Sequence, residues 1–131
     1  MEEIEGACHC GAVRWRFRGV PASATACNCT VCSRYGALWA YGVEGESVSV
    51  SGATANYVPE GALAFHFCTR CGNLAYYATL GRNDTGQRDI AVNLRMGDPE
   101  QLGDIPMRRW DGRHSWSAAD AAGRVLRDHW F

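Results

Sequence analysis

Seven cysteines fall along the chain as two, three and two: Cys8-His9-Cys10, then Cys27-Asn28-Cys29-Thr30-Val31-Cys32, then Cys68-Thr69-Arg70-Cys71. Thiols spaced this closely either cross-link or hold a metal, so the pattern restricts the fold more than any other feature. The start, Met1-Glu2-Glu3-Ile4-Glu5, is acidic and lacks the basic and apolar regions of a secretory signal, so a cytoplasmic setting is expected. Thiols stay reduced there, and an odd cysteine count weighs further against a disulfide framework. A structural zinc closes its tetrahedron with four protein ligands, whereas a chemically active one keeps a position open. Seven thiolates divide into one set of each kind, two Zn²⁺ per chain.

Cys-x-x-Cys-Gly at Cys68 to Gly72 follows a strand-like run, and Cys-x-Cys-Gly at Cys8 to Gly11 repeats its logic. Glycine after the last cysteine lets the backbone turn its N–H groups toward the sulfurs, as a metal knuckle requires. Cys8, Cys10, Cys68 and Cys71 therefore make a plausible four-cysteine structural site. Spacing alone leaves a second partition open, Cys29, Cys32, Cys68 and Cys71, although the 35 residues between those pairs exceed the ~15–20 of a zinc ribbon.

Cys27, Cys29 and Cys32 remain as the candidate catalytic set, with a fourth position for water, substrate or a distant histidine. His9, His66 or some other side chain could close it, and His66 is the first suspect, since strand alternation puts it on the side of Cys68. Three thiolates leave a divalent zinc at net −1, a poor activator of water but a good host for a soft ligand. An entering thiol is held as its thiolate there and can attack a small electrophile such as an aldehyde. No His-x-Glu motif accompanies the cysteines, which excludes a zinc deaminase.

Charge narrows the partners. The formal net charge is −1, and seven metal-bound thiolates around two Zn²⁺ would take it to −4, so no nucleic-acid partner is expected. No apolar run approaches the ~20 residues of a membrane span. All 13 basic residues are arginine, which excludes Schiff-base chemistry on lysine and leaves arginine to hold any anion. Asn93 and Arg95, read as sharing one face of a strand over residues 90–95, and Arg34 are the candidate substrate-binding residues for a carboxylate-bearing thiol.

Many short apolar or alternating runs predict a mainly β fold. Val13, Trp15 and Phe17 alternate with Arg14, Arg16 and Arg18 as in a half-buried strand. Further strands are expected over 37–41, 47–51, 56–58, 63–67, 74–78, 90–95 and 105–110, separated by glycine, proline and polar turns. One helical turn is expected over 31–35, ended by Gly36, and a short helix after Asp98. Ser117 and Asp120 fit a capping box that opens a marginal C-terminal helix through about Arg127. Residues 1–131 are read as a single zinc-binding domain.

Several segments together resemble the glutathione-dependent formaldehyde-activating enzyme and centromere-protein-V-like family. They are Gly6-Ala7-Cys8-His9-Cys10-Gly11-Ala12-Val13, Cys27-Asn28-Cys29-Thr30-Val31-Cys32, Gly36-Ala37, Phe65-His66-Phe67-Cys68-Thr69-Arg70-Cys71-Gly72 and Ala91-Val92-Asn93. Asp98-Pro99 and Arg108-Arg109-Trp110-Asp111-Gly112 are similar too, while Asn28 stands where many members carry histidine. The resemblance implies small coiled β-sheets clipped by zinc, similar to the methionine-R-sulfoxide reductase type of fold. It also implies a structural zinc on Cys8, Cys10, Cys68 and Cys71 and a labile catalytic zinc on Cys27, Cys29 and Cys32. The implied activity is that of a carbon–sulfur lyase interconverting S-hydroxymethylglutathione with glutathione and formaldehyde. Two other readings are a non-catalytic zinc-stabilised interaction module and a redox protein using the three cysteines as reactive thiols.

Overall fold

The structure is a computed structural model that describes residues 2–130. Strands β1 (Glu3–Ala7), β2 (Arg14–Arg18) and β5 (Val48–Ser51) form a three-stranded antiparallel sheet in the order β1-β2-β5. The remaining strands are β3 (Ala24–Cys27), β4 (Trp39–Val43), β6 (Thr54–Tyr57), β7 (Leu63–Cys68), β8 (Leu74–Thr79), β9 (Asp89–Asn93), β10 (Met107–Asp111) and β11 (Ser117–Ala119). They form an eight-stranded sheet in the order β11-β10-β3-β4-β9-β8-β7-β6. Two short helices, α1 (Thr30–Tyr35) and α2 (Pro99–Leu102), and 3-10 turns at Leu94–Met96 and Leu126–His129 complete the described residues. The mainly β expectation holds, and none of these helices is long and apolar enough to cross a membrane.

Alternation in β2 works as the sequence predicts: Trp15 and Phe17 point inward while Arg14, Arg16 and Arg18 face solvent. Trp15 is fully buried, and its indole Nε1 donates to the Asn93 carbonyl at 3.2 Å, tying the small sheet to the end of β9. Gly6 on β1 makes room for that ring, since a Cβ there would lie 2.5 Å from it. Ile4, Trp15, Phe17 and Val48 pack with Ala40, Tyr76, Ile90 and Val92 in the main core, so the small sheet covers one face of the large one. Trp15→Ala would remove about 3–5 kcal/mol, the usual scale for a buried aromatic.

The other face of the large sheet carries a second cluster of Trp39, Phe65, Leu74, Ala91, Cys32 and Ala37. Register explains its make-up, because residues directly paired across strands share a face. Trp110 pairs with Cys27, and Thr25 pairs with Trp39. Tyr41 pairs with Ala91, Ala91 with Tyr77, and Tyr77 with Phe65. One face of the sheet is thereby lined with aromatic rings beside a cysteine.

Two expected elements differ. The strand expected over 90–95 stops at Asn93, whose side chain accepts from the Arg95 N–H at 3.1 Å and caps the 3-10 turn, so Asn93 and Arg95 share no strand face. No helix forms from Ser117 to Arg127. Ser117–Ala119 instead pairs with β10, and Asp120 Oδ1 accepts from the Ala122 N–H at 2.8 Å to hold a turn in which Ala122 and Gly123 take φ of 53° and 70°. Asp120 thus caps a turn that a helix could not pass through. Strands β1, β3 and β11 are additions to the sequence reading, and α1, ended by Gly36 in the left-handed region, and α2, capped by Asp98, agree with it.

Candidate metal centres

Four sulfurs, those of Cys8, Cys10, Cys68 and Cys71, converge within 4.8 Å of one another. The first pair sits on the turn before β2, and the second at the end of β7 and on the turn before β8, so the group joins the two sheets. Gly11 and Gly72 each donate a backbone N–H to the carbonyl three or four residues back, Cys8 and Cys68 respectively, at 2.9 Å, and their φ of 83° and 77° suits only glycine well. Val13 N–H donates to Cys8 Sγ at 3.2 Å, and Arg70 and Cys71 N–H donate to Cys68 Sγ at 3.3 and 3.4 Å. Such donors stabilise thiolates. Backbone N–H groups at Cys10 and Asn73 lower the Cys71 pKa to about 6. Cys10 Sγ lies 3.6 Å from both Cys8 Sγ and Cys68 Sγ. Tetrahedral zinc with bonds of ≈ 2.3 Å needs edges of about 3.8 Å, whereas a disulfide needs about 2.0 Å. The donor set fits zinc, and the ribbon-like partition, Cys29 and Cys32 with Cys68 and Cys71, does not form.

Cys27, Cys29 and Cys32 form the other group, again within 4.8 Å, at the end of β3 and the start of α1. Cys29 caps α1, its Sγ accepting from the Cys32 N–H at 3.3 Å, and Cys27 Sγ accepts from the Cys29 N–H at 3.4 Å. Burial works against the Cys29 thiolate, but the backbone N–H of Cys32 and the neighbouring thiols outweigh it, and its pKa falls below the ordinary thiol value. Burial pushes the Cys32 thiol up, with the Trp39 indole acting in the opposite direction. That indole Nε1 is buried and has no hydrogen-bond partner.

Neither histidine suspected as a fourth ligand joins either group among the described residues. His66 Nδ1 pairs with Thr54 Oγ1 at 2.9 Å, and its ring stacks on Tyr76 at 4.7 Å. A register shift between His66 and Phe67 breaks the alternation that would have aligned it with Cys68. His9 is exposed.

Beside the three cysteines lies a cavity of about 520 Å³. Trp39, Tyr41, Phe65, Tyr77, Trp110 and Trp116 supply its walls. Trp39 and Tyr77 meet edge to face at 4.8 Å, as do Trp110 and Trp116 at 5.9 Å. Burial holds the Tyr77 phenol well above the usual tyrosine range, so it remains a hydrogen-bond donor at neutral pH.

One wall comes from the turn after β10, beyond the last strand expected from the sequence over 105–110. Asp111 accepts from Asn28 Nδ2, from the N–H groups of His114 and Ser115 and from Ser115 Oγ, and these bonds hold its carboxyl well below the usual carboxylate range. Arg113 donates Nε to the Asn28 carbonyl and Nη2 to Ser33 Oγ, fastening the turn to the cysteine loop. Trp116 is thereby held over the cavity in a left-handed backbone conformation, φ 53°, with its N–H on the Asp111 carbonyl. Gly112 runs against the cysteines themselves: a Cβ there would lie 3.0 Å from Cys27 Sγ and from Cys29 Cβ. The signal available in the sequence was the Trp-Asp-Gly turn with a second tryptophan four residues on.

The proposed substrate-binding residues sit elsewhere. Asn93 is buried, its Nδ2 donating to the Leu74 carbonyl at 2.9 Å and its Oδ1 accepting from the Leu38 and Arg95 N–H groups. Arg95 donates to the carbonyls of Gly36, His129 and Trp130. Arg34 donates to the Thr30 carbonyl and borders a shallow groove beyond Val31. None of the three lines the cavity.

No curated protein matches the chain. Among solved structures it is similar to the crystal structure of a Rhodobacter sphaeroides protein, a structural genomics target, at 27% identity and a TM-score of 0.57, over 79% of this chain and 99% of that one. Residues 3–105 match the family model described as glutathione-dependent formaldehyde-activating enzyme, a span that includes all seven cysteines and stops short of Trp110, Gly112 and Trp116.

Proposed function

The chain belongs to the glutathione-dependent formaldehyde-activating enzyme family, and from that premise we propose that it is a zinc-dependent carbon–sulfur lyase that makes and breaks the bond between a thiol sulfur and an aldehyde carbon. The carrying observation is the inequality of the two cysteine groups: four sulfurs form one, and three form the other beside a cavity. Cys8, Cys10, Cys68 and Cys71 are assigned to a structural zinc, and Cys27, Cys29 and Cys32 to a catalytic one. Zinc held by Cys27, Cys29 and Cys32 would accept a thiol as a further ligand and favour loss of its proton.

This chain's residues supply the rest. The backbone N–H groups of Cys29 and Cys32, donating to Cys27 Sγ and Cys29 Sγ, with the Trp39 indole, balance the negative charge concentrated on the sulfurs. Aromatic walls exclude water from a reactive adduct. In the forward direction the thiol loses its proton, a sulfur–carbon bond forms, and the carbonyl π pair moves to oxygen, which takes up a proton. Tyr77, which lines the cavity, is the candidate donor to that oxygen. The reverse direction releases thiol and aldehyde. Glutathione with formaldehyde is the pair the family name supplies.

Elemental analysis after reconstitution should give about two zinc per chain, by the ligand count. A chelator should remove one quickly and one slowly, and added thiol should slow the fast phase. Two equally retained ions that ignore thiols would refute the enzyme in favour of a zinc-stabilised interaction module.

A further inference from the structure

Resting on the reading of the three-cysteine centre as a thiol site, we propose that the thiol it takes carries an uncharged aromatic or branched apolar body rather than the charged arms of a tripeptide. The walls carry the argument. Cross-strand register puts Cys27, Trp39, Tyr41, Phe65, Tyr77 and Trp110 on one sheet face, and Trp116 closes over them. The cavity, about 520 Å³, lies within the ~300–1,000 Å³ range of sites for drug-sized ligands and far exceeds what formaldehyde and a sulfur atom fill.

Charge points the same way. Among the residues lining the cavity no arginine appears, and Glu60 is the one charged side chain apart from the thiols. Three thiolates around a divalent ion add a net −1, so a carboxylate entering here meets two negative centres and loses hydration against aromatic faces. Arginines border neighbouring depressions instead. Arg34 lies in the groove beyond Val31, and Arg108 and Arg109 border a cleft of about 160 Å³ on the far side of Tyr41 and Trp110. An aromatic ring placed among Tyr77, Trp110 and Trp116 gains both burial and edge-to-face contacts.

Matched probes test this. Cobalt(II)-substituted protein, titrated with thiols and followed through its sulfur-to-cobalt charge-transfer absorption, gives dissociation constants without turnover. Benzyl mercaptan should bind about 30-fold more tightly than 4-(mercaptomethyl)benzoate, which differs by one carboxylate, and than glutathione, a ratio on the scale of one buried unpaired charge after partial solvation. Trp116→Ala should lower the preference for benzyl mercaptan over 2-mercaptoethanol by about tenfold. Trp116 is 69% exposed, so that variant should fold. Equal binding of the matched pair, or tighter binding of glutathione, overturns the proposal and leaves the open thiol centre standing. No spectral response to any thiol removes the thiol centre itself, and this proposal with it.

Discussion

Gly112→Ala tests how closely the turn after β10 is built onto the three-cysteine centre. The new Cβ would lie 3.0 Å from Cys27 Sγ, 3.0 Å from Cys29 Cβ and 3.3 Å from the Trp116 ring. Relaxed contacts between such atoms run at about 3.5–4.0 Å, so the neighbours must move by about half an ångström in total. Arg113 and Asp111 pin the turn to Asn28, which leaves the cysteine loop little freedom to retreat as a unit. Zinc sites tolerate about ±0.2 Å in ligand position, so a shift shared between Cys27 and Cys29 exceeds what the centre absorbs. The expected loss is about 10–100-fold in affinity for the second zinc, or roughly 1.4–2.7 kcal/mol. Folding should suffer less, because the turn is partly solvent-exposed and the main core lies on the other face of the sheet. Zinc release to a chromogenic chelator, read as two phases, is the assay: the fast phase should accelerate and the slow phase stay unchanged. Identical release from variant and wild type would refute the close approach, and acceleration of both phases would mean that the substitution acts on the whole fold.

Four further outcomes follow from particular contacts. Cys68→Ser should give unfolded or insoluble protein, since it breaks the group joining the two sheets and structural zinc is worth on the order of 10 kcal/mol. Cys29→Ser should stay folded, retain about one zinc and lose thiol-adduct chemistry; thermal melts and zinc analysis compare the two. Arg95→Ala should cost about 1–2 kcal/mol of stability in a denaturant melt through the lost bonds to Gly36, His129 and Trp130, and leave thiol affinity unchanged; weakened thiol binding would return Arg95 to the site. Arg88 donates to Glu44 at 2.7 and 2.8 Å and lowers the Glu44 pKa, so this contribution is present above the unfolded value of about 4.3 and is lost as pH falls through the folded one. Below about pH 4.3 the stability gap between wild type and Glu44→Gln should therefore narrow; a constant gap would mean that the pair contributes nothing.

The cysteine pairs Cys8/Cys10 and Cys68/Cys71 were legible in the sequence because each knuckle is local, its spacing and the glycine after it carrying the information, whereas which pairs share a site was left open by spacing and depends on how the two sheets pack. Strand β2 was legible because its period of two is visible in the six residues from Val13 to Arg18. The aromatic cavity was not, because it depends on register: Trp110 meets Cys27 only through the parallel pairing of β10 with β3, and nothing local announces that partnership. Asn93 and Arg95 misled because an assumed strand carried alternation past its end, where the Asn93 side chain turns the backbone instead. The Ser117 to Asp120 pattern fits a helix cap locally, but the edge of β10 and the turn at Ala122 and Gly123 determine the outcome.

The parallel pairing of β10 with β3 also sets an order of events during synthesis. Cys27, Cys29 and Cys32 emerge together as a complete set of sulfur donors, whereas Trp110, Gly112 and Trp116 follow about 80 residues later. At ~5–20 residues per second that interval is about 4–16 s, long compared with loop closure. The donor loop is therefore exposed to ions before its roof exists, and docking of the last strand converts an accessible chelating loop into a walled chamber. On the proposed reading, metal loading and substrate enclosure are separate steps in the life of one chain, the first governed by a six-residue segment and the second by the arrival of the last strands.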